Sequence, residues 1–234
     1  MQDTKTDETN STIQLVIAAL NEEEGIGATI AEMKDYLGDI STLVVDGKSD
    51  DKTAQLAKNM GARVIYQDGK GKGDAFAKAL ENLEPTAKYI ILTDADYTYP
   101  AEYVPDMIKI LDEYPEVGMV CGNRFNGHLE KEALHRVFHA GNKMIAFAHK
   151  VLNDVELKDP LTGLRVIRVD AVRNWKVKSK GFDIEVELNN YVQKKGYLTR
   201  EILIDYRERM GKKKLKARDG FAILRRILKD AYFG

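Results

Sequence analysis

Short β-branched runs alternate along the chain with longer stretches in which apolar residues recur every three or four positions. That rhythm predicts strands over 13–19, 43–45, 63–66, 89–93 and 117–121, separated by helices over 22–37, 51–60, 74–83 and 101–114. In the first helix Ile26, Ile30, Met33 and Leu37 fall on one face. The second half is less regular: a long helix over 130–152, a strand over 164–169, a helix over 182–195 and a strand over 198–204. Strands and helices in βαβα order predict a Rossmann-like α/β domain, a mostly parallel sheet flanked by helices. No Pro/Gly/Ser-rich linker, internal repeat or low-complexity tract divides the 234 residues, and one domain over 12–210 is the simplest reading. A polar, acidic tail over 1–11 is expected to be disordered, and a basic amphipathic segment over 211–234 follows the domain.

A parallel sheet places its ligands in the crevice outside the carboxyl ends of its strands, so function is expected just after Ala19, Val45, Tyr66, Thr93 and Cys121. Those places carry Leu20-Asn21-Glu22, Asp46-Gly47-Lys48-Ser49, Gly71-Lys72-Gly73, Asp94-Ala95-Asp96 and Gly122-Asn123-Arg124. The fourth is the most informative. Two carboxylates two residues apart at a strand end can share one hard cation, Mg²⁺ or Mn²⁺, whose remaining positions suit the oxygens of a diphosphate; alone, the tripeptide is equally a solvated turn. Gly71-Lys72-Gly73 lets backbone approach a ligand with Lys72 as a point charge for phosphate, although a flexible loop fits it as well. The chain has no Walker loop and no Gly-x-Gly-x-x-Gly, which argues against a dinucleotide-binding dehydrogenase. Asp46 is placed to accept hydrogen bonds from a base or ribose, and Ser49 to Asp51 to cap the next helix.

Charge and composition narrow the picture. Lys and Arg (36) nearly balance Asp and Glu (37), so no global field points at nucleic acid. The single cysteine, Cys121, excludes an intrachain disulfide and suits a reducing, cytoplasmic compartment. No apolar run approaches the roughly 20 residues of a spanning helix, and residues 1–11 lack the apolar region of a signal peptide. Locally, Lys212, Lys213, Lys214, Lys216 and Arg218 precede Phe221, Leu224, Ile227 and Leu228, which share one helical face. Such a helix suits a peripheral position at the cytoplasmic face of a membrane; packing on the domain is the alternative. His135 and His139 have the spacing of a metal pair, but no third ligand accompanies them and no zinc site is expected.

Together these motifs resemble the family 2 glycosyltransferases of the GT-A fold, and within them the dolichyl-phosphate mannose and polyprenyl-phosphate glucose synthases. Residues 18–22 are similar to the family's Pro-x-Tyr-Asn-Glu opening, and 44–53 to Val-Val-Asp-Asp-Gly-Ser-Thr-Asp-Gly-Thr. Gly71-Lys72-Gly73 and Asp94-Ala95-Asp96 match directly. Gly122-Asn123-Arg124-Phe125 is similar to Gly-Ser-Arg-Tyr, and residues 159–165 to Asp-Pro-x-Ser-Gly-Phe-Arg. Residues 181–185, 201–209 and Lys214-Leu215 with Asp219-Gly220 follow the same pattern. Ala18 replaces a proline, Gly47 an aspartate, and Thr98 stands where mannose synthases often carry a metal-contacting glutamine. The resemblance implies inverting transfer of a hexose from a UDP- or GDP-linked donor. Leu20, Glu22, Asp46, Lys72, Asp94 and Ala95 would bind the nucleotide-sugar, Asp94 and Asp96 would hold Mg²⁺ or Mn²⁺, and Asp96, Arg124 and Arg136 would act in catalysis.

The acceptor can be argued from chemistry. A sugar hydroxyl needs a positioned base. A lipid monophosphate, with a second pKa of about 6 by analogy with phosphoserine, is largely dianionic at neutral pH and needs only cations to orient it. The chain lacks the Thr-Glu-Asp and Gln-x-x-Arg-Trp motifs of the processive polysaccharide synthases, and it offers Arg124, Arg136 and Arg165 to grip a phosphate. Arg136 is equally a surface residue of the long helix. A polyprenyl (dolichyl) phosphate at a membrane surface, or beside a membrane-embedded partner, is therefore the expected acceptor, and a soluble hydroxyl acceptor the alternative. A sugar-1-phosphate nucleotidyltransferase would carry a Gly-rich loop after the first strand, where Asn21-Glu22-Glu23 stands instead.

Overall fold

A computed structural model describes residues 12–125, 133–212, 214 and 219–233, with the side chains of 133–138 and of Phe233 outside that description. In chain order the elements are β1 (Ile13–Ala19), α1 (Ile26–Leu37), β2 (Ser41–Asp46), α2 (Thr53–Asn59), β3 (Arg63–Tyr66), α3 (Lys72–Leu80), β4 (Tyr89–Asp94), a 3₁₀ turn (Ala101–Tyr103), α4 (Val104–Glu113), β5 (Val117–Asn123), α5 (Ala133–Asn153), β6 (Arg165–Arg168), α6 (Val169–Val172), α7 (Ile184–Lys194), β7 (Leu198–Leu203) and α8 (Asp219–Phe233). The seven strands form one sheet in the order β3-β2-β1-β4-β6-β5-β7. Central β1 is apolar almost throughout because both its faces are covered. Leu15 and Ile17 face the cluster that holds Ile30, Met33, Met107 and Leu111 of α1 and α4. Val16 faces the other way, toward Ala75 and Ala79 of α3.

The expected mostly parallel sheet has one exception. β6 runs antiparallel to both β4 and β5, pairing Leu92 with Arg165 and Cys121 with Arg165. Its beginning, not its end, therefore stands at the rim where β4 and β5 finish, and the loop preceding it enters the crevice. The first helix starts at Ile26 rather than at residue 22. Glu22 instead forms a turn, its carbonyl accepting the N–H groups of Gly25 and Ile26 and its own N–H bonding Thr53 Oγ1 at 2.8 Å. The four-residue α6 is too short to leave a period in the sequence.

The C-terminal helix differs from expectation in which side it buries. Ile223 and Ile227 pack with Ile145 and Val186, and Leu224 is partly buried against them. Of the expected free face only Phe221 and Leu228 remain exposed. Arg226 is drawn inward: its Nε donates to Asp183 Oδ2 at 3.1 Å, and its terminal nitrogens lie 3.6 Å from Glu187 and Asp230. Among the described residues no helix is long and apolar enough to cross a membrane.

Candidate active site

Three adjacent strand ends turn through left-handed conformations at non-glycine residues: Asn21 after β1 (φ 50°), Lys48 after β2 (φ 66°) and Tyr97 after β4 (φ 64°). Hydrogen bonds between the loops hold these turns. Asn21 N–H donates to Ser49 Oγ at 2.9 Å, Asp50 N–H to Asn21 Oδ1 at 2.8 Å, and Tyr97 N–H to Thr29 Oγ1 at 3.1 Å. Asp46 is fully buried, and its two oxygens accept the backbone N–H (2.8 Å) and hydroxyl (2.7 Å) of Ser49. Ser49 thus stitches two loops together rather than capping α2, whose first residue Thr53 is held by Asp51 at 2.9 Å. Leu20 is exposed beside them.

Asp94 is the last residue of β4, and Ala95 is buried between it and Asp96. Lys72, at the start of α3, places Nζ 2.7 Å from Asp94 Oδ1 and 2.8 Å from Glu185 Oε1. The Gly71-Lys72-Gly73 backbone packs on protein: Gly73 N–H donates to Lys180 O at 3.0 Å, and a side chain on Gly73 would run into Ser179. Glycine is required at Gly163 too, where a Cβ would come within 2.5 Å of Asp94 Oδ2. Asp96 Oδ1 accepts the Thr98 hydroxyl at 2.6 Å, so Thr98 holds the carboxylate from behind. Burial opposes ionisation of Asp94, but the charge of Lys72, helped by Arg124 and Arg209, holds it below the ordinary aspartate range. Burial together with the charge of Asp94 lifts Asp96 above that range. Two hard carboxylates, one ionised and one charged at a cost, form a donor set that suits a divalent cation completed by phosphate and water. Among the described residues no cluster of three or more His, Cys, Asp or Glu could hold a metal by itself.

A later segment lies across this rim. Arg209 Nη2 is 2.9 Å from Glu22 Oε1 and 3.4 Å from Asp96 Oδ2. Met210 N–H donates to the Asp96 carbonyl at 2.9 Å and Arg207 N–H to the Thr98 carbonyl at 3.0 Å. Lys214 Nζ donates to the Asn21 carbonyl at 3.0 Å and also pairs with Glu22. Burial lifts the Glu22 carboxyl above its ordinary range, against the pull of both cations. The only signal of this segment in the sequence is its place in the family pattern, which assigned Arg209 and Lys214 no role; Glu185 went unassigned for the same reason. Glu185 Oε2, Thr93 Oγ1 and Thr162 Oγ1 find no partner among the described residues, and the three side chains line a cavity of about 30 Å³ beside Lys72. That space takes a water or a hydroxyl group, not a sugar ring.

On the other side of Asp94, Arg124 donates from Nε to Asp159 Oδ2 at 2.7 Å and from Nη2 to Asp159 Oδ1 at 2.8 Å. Asp159 is fully buried, and the N–H groups of Lys158 and Asp159 both bond Glu201 at 2.8 Å. Arg165 corrects the expectation of an acceptor ligand. It is 1% exposed, its Nε donates to Thr162 O at 3.0 Å and its Nη2 to Pro160 O at 2.8 Å, and its Nη1 bonds Asn189. Its guanidinium is spent on the loop before β6 and has no face left for a phosphate. Arg136 lies on the first turn of α5, but its side chain is outside the described residues, as are those of His128 and His135. The ring of His139 packs edge-on against Phe125, 4.2 Å between centroids.

Known proteins resemble the chain in sequence and in fold. The model of Glycosyl transferase family 2 matches residues 14–175. A dolichyl-phosphate hexose transferase of Haloferax volcanii is 33% identical over 213 residues, which are 90% of this chain and 89% of that protein. Glycosyltransferase AglJ of the same organism is 32% identical over 85% of this chain and 64% of its own length. Among solved structures, glucosyl-3-phosphoglycerate synthase from Mycobacterium tuberculosis in complex with Mn²⁺ and UDP-glucose superposes with a TM-score of 0.72 at 19% identity, over 96% of this chain and 80% of that one. That likeness speaks to the fold, which is the GT-A arrangement expected from the motifs.

Proposed function

The chain belongs to glycosyl transferase family 2, and from that premise we propose that it transfers a hexose, with inversion, from a UDP- or GDP-linked donor to a polyprenyl (dolichyl) phosphate. The observation that carries the acceptor is the pairing of the crevice carboxylates with cations. Glu22 faces Arg209 and Lys214, Asp94 and Glu185 share Lys72, and Asp159 is gripped by Arg124. Glu22, Asp94 and Asp159 are thus held against cations rather than free to serve as the base that a sugar hydroxyl requires, and the unpartnered Oε2 of Glu185 faces a space of about 30 Å³, too small for an acceptor sugar, whereas a phosphate dianion brings its own negative oxygen.

Glu22 and Leu20 would line the nucleoside side, with Asp46 behind them fixing the loop through Ser49 and Ala95 beneath the diphosphate. Asp94 and Asp96 would hold Mg²⁺ or Mn²⁺; such a cation, when bound, neutralises charge that develops on the leaving nucleoside diphosphate. Lys72 and Arg209 stand where they could turn from these carboxylates to the phosphate oxygens. A donor hydroxyl reaching Glu185 Oε2 or Thr162 Oγ1 would satisfy atoms that otherwise lack partners. Arg124 and Arg136 would orient the acceptor phosphate. One of its oxygens attacks the anomeric carbon as the bond to the diphosphate breaks, and the nucleoside diphosphate leaves.

A soluble acceptor is the second reading, favoured by the close fold likeness to glucosyl-3-phosphoglycerate synthase, whose name specifies one. Purified protein offered UDP- and GDP-hexoses with Mn²⁺ tests both. Labelled sugar appearing in a polyprenyl phosphate and not in 3-phosphoglycerate supports the first; the reverse overturns it.

A further inference from the structure

A second opening is built on a different face of α7 from the one that serves Lys72. Glu187, Asn190, Tyr191 and Lys194 recur at the three- and four-residue spacing of one helical face. Glu185, the partner of Lys72, precedes Glu187 by two residues and lies about 200° round the helix from it. With residues of the loop before α7 and of α8, the Glu187 face lines a cleft of about 270 Å³, about nine times the space beside Lys72. Ligand pockets begin at about 300 Å³, so the cleft is of a size for one small molecule.

The floor of the cleft is polar and incompletely bonded. Asn190 and Asp230 line it while only 5% and 6% exposed, and Asn190 Oδ1 and Asp230 Oδ2 find no hydrogen-bond partner among the described residues. Arg226 Nη1, 3.6 Å from Asp230 Oδ1, is a donor left in the same condition. Burial lifts the Asp230 carboxyl above its ordinary range, against the pull of Arg226. The neighbouring carboxylate is already committed: Glu187 accepts the N–H groups of Lys178 at 2.7 Å and of Ser179 at 2.6 Å. Buried polar atoms without partners are costly, so two acceptors and a donor orphaned in one cluster point to a ligand that bonds them. A hydroxyl both donates and accepts and suits such a mixture, whereas an ammonium serves the acceptors alone.

The rim carries the opposite chemistry. Lys176, Lys178 and Lys194 are exposed around it, and Lys194 Nζ donates to the Asp230 carbonyl at 3.1 Å. One wall is aromatic: Trp175 and Tyr191 are stacked with centroids 5.2 Å apart and planes at 22°, a flat surface for the C–H face of a sugar ring. We propose that this cleft binds a free phosphorylated polyol of sugar-phosphate size, its hydroxyls on Asn190 and Asp230 and its phosphate among the three lysines. An amino acid is the poorer occupant, because its ammonium offers nothing to Arg226 Nη1. Occupancy of the cleft does not depend on which acceptor the crevice at Asp94 and Asp96 serves.

Trp175 is the only tryptophan of the chain, so its emission reports on the cleft. Glucose 6-phosphate, glucose and inorganic phosphate are titrated into the full-length protein, with heat and Trp175 emission both followed. Glucose 6-phosphate should bind saturably and change the emission, and each half alone should bind at least about tenfold more weakly. Lys176→Ala/Lys194→Ala, at two exposed positions, should weaken binding at least about tenfold while keeping the melting temperature. Asn190→Leu, which puts an apolar group on the floor, should weaken it similarly; where that variant unfolds early, the lysine variant decides. Absence of saturable heat and emission change at millimolar ligand, equal binding by the lysine variant, or inorganic phosphate binding as tightly by itself would overturn the proposal. Inositol 1-phosphate binding at least about tenfold more tightly than glucose 6-phosphate would reassign the cleft to a lipid headgroup and overturn the free ligand.

Discussion

Arg124 embraces Asp159 side-on, Nε and Nη2 each within 2.8 Å of one carboxylate oxygen, and Asp159 is fully buried. The fork needs a guanidinium, so Arg124→Lys should raise the acceptor KM about tenfold or more and leave donor affinity nearly unchanged. Arg124→Ala strands a buried carboxylate and should also cost about 3 kcal/mol of stability by denaturant unfolding. If donor binding, followed by calorimetric titration, falls in step with transfer, Arg124 belongs to the donor side.

Asp96 offers the charge that water cannot replace. Asp96→Ala should lower kcat/KM at least about a thousandfold, equivalent to roughly 4 kcal/mol of barrier, without loss of fold. Wild-type protein in EDTA should show a comparable defect that Mn²⁺ restores. Full turnover under either condition removes the metal from the mechanism.

Glu185 shares Lys72 with Asp94. In Glu185→Gln one counter-charge is gone, and Lys72 keeps a neutral amide acceptor beside the charged Asp94. The donor KM should rise about tenfold, with kcat toward the lipid acceptor less affected. An unchanged donor KM would reduce Glu185 to a packing residue.

His149 is buried, and burial first, then the charge of Arg165, pushes its imidazole down to about 4. In the unfolded chain it takes up a proton near its ordinary value of about 6.5. Between those values the unfolded state binds more protons, so stability is intact above about pH 6.5 and declines as the pH falls toward 4. The full loss is on the order of 3 kcal/mol. Urea titrations across that range should show the decline, and His149→Gln should flatten it.

The first half of the sheet was legible because its strands are apolar on both faces and end in polar rims; the strand of residues 13–19 and that of 63–66 were located to the residue. The reversed direction of β6 was not, since a four-residue strand carries no mark of its polarity. Arg165 misled because arginine in a sequence suggests a surface or a ligand, yet it is buried here, by partners such as Asn189 that no local pattern ties to it. The Asp94-Ala95-Asp96 rim was visible as a motif, whereas the cations that balance it come from elsewhere, Arg209 reaching Glu22 across 187 positions.

The antiparallel seam also governs how the molecule is assembled in time. Within the sheet, β1–β4 meet β5 and β7 only through β6, along the ladder from Leu92↔Arg165 to Tyr89↔Arg168. Such distant partners must close a long loop before the contact repays it, which makes this a slow step of folding. Until then Tyr89–Asp94 is a bare edge, apolar over Tyr89 to Leu92 and open to pairing with another chain. The strand that ends in the Asp94 carboxylate is thus exposed to mispairing until β6 arrives, and closing the crevice is the same event as covering that edge.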